Sequence, residues 1–219
     1  MYLTDRDKKK AIDEDYMCIK DMHVLSDEVQ MYAVKKDLRS LALLNNPCLD
    51  VQEYVVNKAG HLIMHINDPS ERIQELAINT NEYAIEYILN PTEKVQKIAV
   101  QRNGFLLEYI REASDEVVTL ALMEEGEAIK HVKHPSVEHQ ILAVSGSSLA
   151  LKYIEEPSYE TQLYAVQCYP YSIRHINTPS VELQQEAIMR DPNSVMFIDN
   201  PSDEILLFAQ LMGYSRDTY

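Results

Sequence analysis

Glycine is scarce in this chain, with five residues in 219. Strand-type alternation of apolar and polar residues is equally scarce, so the chain reads as all-helical. Cysteine is limited to Cys18, Cys48 and Cys168, scattered and odd in number, which excludes a disulfide framework and suits a reducing compartment. There is no run of about 18 apolar residues, so no segment reads as a membrane span. Met1 to Lys10 is charged and lacks the apolar stretch of a secretory signal, so a cytoplasmic location is expected. Positive charge is in deficit: 20 Lys and Arg face 35 Asp and Glu, a net charge of −15. Such a surface repels nucleic acid and anionic lipid and attracts basic partners. The sequence also has no glycine-rich phosphate loop, no nucleophile motif and no inserted loop in which a catalytic site could be built. No cofactor is implied. The 46% of hydrophobic residues suffices for a packed core and argues against disorder.

What is present is a repeat. Pro47-Cys48, Pro69-Ser70, Pro91-Thr92, Pro135-Ser136, Pro157-Ser158, Pro179-Ser180 and Pro201-Ser202 start segments spaced by 22 residues, or by 44 where one proline is missing. The missing one is Ala113-Ser114, in phase, and Leu25-Ser26 extends the array backwards. A degenerate repeat, Leu3 to Val24, keeps Ala11, Ile19 and Met22 in register. Ten repeats follow one another with no insertion or deletion.

Numbering each repeat from its proline turns the sequence into columns. Position 2 is Ser or Thr except at Cys48, a hydroxyl suited to the free amides of a helix's first turn. Position 9 is alanine except Val55. Position 14 is often a breaker, as at Gly60, Gly104, Gly126, Pro170 and Pro192. Positions 17 and 20 are aliphatic, as in Ile85 with Ile88 and Leu107 with Ile110. Each repeat thus predicts a capped helix at positions 3–12, a turn near 13–14, and a short second helix near 15–21, α or 3₁₀. All nine prolines fall at position 1 or 14, where a missing amide proton is tolerated. A repeat this short cannot bury its own apolar face, so neighbours must stack. The expected fold is an α-solenoid, one repeat domain over 1–219, with 1–24 a degenerate N-terminal cap and 201–219 a C-terminal cap.

The Pro-Ser opening, Val51-Gln52 and Val95-Gln96, Ala99-Val100, and Asn103-Gly104 followed by Leu107 and Ile110 together resemble the leucine-rich repeat variant family. More loosely they resemble HEAT-like repeats. The resemblance covers almost the whole chain. It implies units that alternate an α-helix with a short 3₁₀ helix, and a binding role with no particular partner.

Function should show as a column that packing and capping leave unexplained. Gln30, Gln52, Gln74, Gln96, Gln140, Gln162 and Gln184 occupy position 6, inside the apolar arc, and break at Val118 and Leu206. A polar residue there must find partners, and the expected ones are backbone groups where the chain passes between repeats. Twelve of the 35 acids sit at positions 3 or 4, where a helix's first turn favours negative charge; the other 23 against 20 Lys and Arg leave −3. Glu116, Glu138, Glu160, Glu182 and Glu204 form the candidate acidic edge. Positions 15 and 19 carry aromatics. On an α-helix they share a face, which would hold His61, His65, Tyr83, Tyr87, Phe105 and Tyr109, with Glu86 and Glu108 at position 18. Position 15 points away from the core, so Tyr83 and Phe105 are expected to be exposed. Exposed aromatics beside carboxylates suit a basic partner. His131, His134 and His139 form a loose cluster, but no Cys or carboxylate spacing supports a metal site.

The sequence therefore points to a non-enzymatic protein-binding module that docks a basic or mixed-charge protein surface, as a small bacterial or phage-encoded adaptor or inhibitor would. It points to neither direct nucleic-acid binding nor membrane binding. The rival is an acidic decoy that occupies the nucleic-acid channel of a host or defence enzyme.

Overall fold

The computed structural model describes residues 3–22 and 24–215. Ten α-helices alternate with nine 3₁₀ helices among them, with no strand. The α-helices are α1 (Asp5–Glu14), α2 (Asp27–Lys36), α3 (Leu49–Lys58), α4 (Glu71–Thr80), α5 (Glu93–Arg102), α6 (Asp115–Glu124), α7 (Val137–Gly146), α8 (Tyr159–Cys168), α9 (Val181–Arg190) and α10 (Asp203–Leu211). From α2 onward each α-helix begins at position 3, and α2 to α9 end at position 12. Each second helix is a six-residue 3₁₀ helix at positions 14–19, for example Gly60–His65 and Gly126–His131. The chain is an α-solenoid.

Contacts divide the chain into two units, Met1–Ala99 and Val100–Tyr219. In the first, α1 to α4 pack in sequence and the 3₁₀ helices Tyr16–Asp21, Leu38–Leu43, Gly60–His65 and Glu82–Tyr87 form a parallel row. In the second, α6 to α10 pack in sequence beside the row Gly104–Tyr109, Gly126–His131, Ser148–Tyr153, Pro170–His175 and Pro192–Phe197. The core lies between the rows. In the first unit it includes Val51, Val55, Val56, Ile63, Ile73, Ala77, Ile78 and Ile85, and in the second Val117, Ala121, Leu122, Ile129, Ala143, Val144 and Leu151. These are positions 5, 9, 10 and 17 of successive repeats.

Local chemistry explains the helix boundaries. The hydroxyls of Ser26, Thr92, Ser114, Ser136, Ser158, Ser180 and Ser202 each accept the amide three residues on; Cys48 and Ser70 make no such bond. Position 13 caps the 3₁₀ helix in the same way. Asp15, Asp37, Asn81, Asn103, Ser147 and Asp191 accept the amide two residues on. Position 14 is the first 3₁₀ residue rather than a breaker. Its glycines answer a steric demand from the next repeat. A Cβ on Gly60 would lie 2.4 Å from the Ala77 carbonyl oxygen, on Gly104 2.3 Å from Ala121, and on Gly126 2.2 Å from Ala143.

The position-6 glutamines tie the array together. Each side-chain NH₂ donates to the carbonyl at position 1 of its own repeat: Leu25, Pro47, Pro69, Pro91, Pro135, Pro157 and Pro179, at 2.8–3.2 Å. The amide oxygens of Gln30, Gln74 and Gln140 also accept the position-2 N–H of the following repeat, from Cys48, Thr92 and Ser158, at 2.9–3.1 Å. Gln140 accepts the Thr161 hydroxyl as well, at 3.0 Å. The polar column is therefore structural, as its place in the apolar arc requires.

Two substitutions test this packing. Gln140→Leu strands a carbonyl and an amide, and should lower the unfolding free energy by about 1–3 kcal/mol in urea denaturation. Gly104→Ala drives a methyl into backbone and should lose a similar ~1–3 kcal/mol. An unchanged midpoint for either would contradict the contact it removes.

Candidate functional site

The 3₁₀ row carries the aromatics, and its geometry alters how they group. With three residues per turn, side chains at i and i+3 align. Position 15 therefore stands in line with position 18, and position 19 points about a third of a turn away. In the first unit Tyr83, Glu86 and Tyr87 sit on Glu82–Tyr87, all exposed, Tyr83 at 48% and Tyr87 at 40%. Tyr83 aligns with Glu86 and not with Tyr87, contrary to the α-helical expectation. His61 is exposed on the neighbouring Gly60–His65.

In the second unit Phe105, Glu108 and Tyr109 belong to Gly104–Tyr109. Glu108 is exposed and Tyr109 half-buried. Phe105 is half-buried, not exposed as its position suggests, because the Lys130 ammonium lies 4.6 Å from its ring centre. That lysine begins a pattern the sequence reading missed. Position 18 holds Lys130, Lys152 and Arg174 in three consecutive repeats, all exposed, and each rests on a ring: Phe105, Tyr153 at 5.0 Å and Phe197 at 5.6 Å. Tyr171 packs at a tilt against Phe197, with centroids 4.9 Å apart and ring planes at 43°. Two acids beside these rings are turned to hydrogen bonds. Asp191 accepts the Tyr171 hydroxyl at 2.6 Å and Glu127 the Ser147 hydroxyl at 3.3 Å. Burial first, then Arg174 and Lys152, hold His175 below its ordinary pKa; burial and Lys130 do the same to His131. The legible signal was a Lys, Lys, Arg run at one repeat position inside an acidic chain.

The acidic edge lies along the α-helix N-termini. Glu116, Glu138, Glu160, Glu182 and Glu204 occupy position 4 of α6 to α10 without interruption, all exposed and all in the second unit. In the first unit Arg72 and Lys94 take this position and pair with Glu53 at 2.9 Å and Glu75 at 2.5 Å. Glu138 and Glu182 titrate below the ordinary carboxylate range because a backbone amide and the capping serine hydroxyl, Ser136 or Ser180, bond the ionised form.

The histidine cluster is spread over three environments. His131 is half-buried in the aromatic slot, and His134 is exposed with a left-handed φ of 53°. His139 stands at core position 5, 7% exposed, its Nε2 3.2 Å from the Thr119 hydroxyl and 3.5 Å from Asp115. No group of three or more His, Cys, Asp or Glu among the described residues is arranged to hold a metal ion. No described helix is long and apolar enough to cross a membrane.

A groove of about 630 Å³ opens beside these residues, at the repeat that lacks both its proline and its glutamine. Ala113, Val118 and Ser136 line it, with Glu108, Glu112, Asp115, Arg111 and Lys133 also on its walls.

Comparison with known proteins found no matching family model, no similar curated protein and no similar solved structure.

The depressed carboxylates of Glu138 and Glu182 predict an acid limb. A group whose pKa is lowered by folding contributes stability above its unfolded value, and that stability is lost as pH falls through the folded value. Thermal stability should therefore drop below about pH 4.5, the ordinary carboxylate value. Paired Glu138→Gln and Glu182→Gln should make that drop shallower in melts across the acid range. Superimposable melts would contradict the cap bonds.

Proposed function

We propose that this chain is a protein-binding solenoid whose 3₁₀ row is the docking face, and that its repeats belong with the leucine-rich repeat variant type. The alternation of a ten-residue α-helix with a six-residue 3₁₀ helix supports the repeat type. The observation that carries the function is the exposure of Tyr83 and Tyr87 around the Glu86 carboxylate. Large rings held at a rigid surface lose little entropy on burial and anchor interfaces. A basic group of the partner meets both a ring face and a carboxylate there. The 3₁₀ row of the second unit offers Lys130, Lys152 and Arg174, a basic surface of its own. The second reading, an acidic decoy for a nucleic-acid channel, is favoured by the unbroken glutamate column Glu116 to Glu204.

Tyr83→Ala with Tyr87→Ala should leave stability within about 0.5 kcal/mol, as exposed substitutions do. The pair should weaken binding of a partner isolated from the native host by more than about 2 kcal/mol, roughly thirtyfold, in calorimetry. Phe105→Ala makes a poorer probe, because it also removes the seat of Lys130. Glu138→Lys, Glu160→Lys and Glu182→Lys form the opposing arm. If these reversals abolish binding, affinity falls steeply with salt and the tyrosine pair has no effect, the decoy reading replaces this one.

A further inference from the structure

The groove at the Ala113 repeat is lined by the two residues whose backbone groups three other repeats bridge with a glutamine. At position 6, a glutamine carboxamide donates to the position-1 carbonyl in seven repeats, and in three of them it also accepts the next position-2 N–H. In this repeat position 6 is Val118, which can do neither. The corresponding carbonyl belongs to Ala113 and the corresponding N–H to Ser136. Neither group has a hydrogen-bond partner among the described residues. Ala113, Ser136 and Val118 all line the same groove of about 630 Å³.

We propose that this groove is a binding site for a primary carboxamide, the terminal group of a glutamine or asparagine side chain. The ligand NH₂ donates to the Ala113 carbonyl and its oxygen accepts from the Ser136 N–H, the pattern Gln140 makes with Pro135 and Ser158. A carboxylate of the same shape can accept but cannot donate, so the Ala113 carbonyl selects amide over acid. The volume lies in the range of small-ligand sites and exceeds what one side chain fills. Walls of both signs, with Glu108, Glu112 and Asp115 against Arg111 and Lys133, suit the ammonium and carboxylate of a free amino acid or the charged flanks of a peptide. The site would operate whether or not the exposed tyrosines contact a partner.

The test is a titration of the ¹⁵N-labelled full chain, followed at the Ser136 amide resonance. The probes are L-glutamine, L-glutamate, and two short peptides with acetyl and N-methylamide ends, one centred on glutamine and one on glutamate. At least one glutamine probe should shift Ser136 saturably and bind at least tenfold tighter than its glutamate counterpart. A tighter free amino acid assigns the site to a metabolite; a tighter peptide assigns it to a partner's side chain. V118Q supplies the carboxamide internally and should abolish the response. The proposal is overturned if no glutamine probe moves Ser136, if glutamate binds as well, or if folded V118Q responds like the unmodified chain. Should V118Q fail to fold, the amide-against-acid comparison decides alone.

Discussion

A solenoid of 22-residue repeats has to reverse its chain twice per repeat without leaving buried backbone groups unpaired. The second reversal, from the 3₁₀ helix into the next α-helix, runs through position 1, a proline without an N–H in seven repeats, whose carbonyl is directed inward. The position-6 carboxamide meets that carbonyl in every repeat that has a glutamine there. One side chain thereby sets where the loop sits, and the loop sets where the next α-helix begins. The Ala-Gly contact then fixes how closely the two rows approach. Gly104 and Gly126 leave room for the carbonyls of Ala121 and Ala143, and buried alanine at position 9 keeps that carbonyl accessible.

Much of this was legible because a repeat states its rules many times over. The α-helix limits at positions 3 and 12, the serine caps and the structural role of the glutamines all follow from columns read against helix chemistry. The type of the second helix did not follow, because six residues with aliphatic positions 17 and 20 satisfy either an α or a 3₁₀ turn. That ambiguity carried into the candidate site. An α-helical reading placed Tyr83 with Tyr87, whereas the 3₁₀ helix aligns Tyr83 with Glu86. Phe105 was read as exposed because nothing in its own repeat covers it; its cover, Lys130, comes from the next one. Position 14 looked like a breaker because glycine or proline recurs there, although the glycines answer a contact with a neighbouring carbonyl. Single-sequence columns show what one repeat needs from itself more readily than what it needs from the next.

The charge distribution separates capping from recognition. The net −15 is concentrated where helix N-termini favour carboxylates, and Glu138 and Glu182 are bonded to their own caps. The 3₁₀ row is charged by different rules. Lys130, Lys152 and Arg174 sit in the last turns of their 3₁₀ helices, the end that favours cations, and rest on rings. Within the second unit these cations share the 3₁₀ row with the exposed Tyr153 and Tyr171, so that row presents both charge and rings to solvent.

The glutamine carboxamide secures the loop between repeats, and the loop after Val118 is secured without one. Native-state amide hydrogen exchange tests it at equivalent sites in the same molecule. The Ser158 N–H, bonded to Gln140 at 2.9 Å, should exchange on the order of tenfold or more slowly than the Ser136 N–H. Equal protection at Ser136 and Ser158 would contradict it.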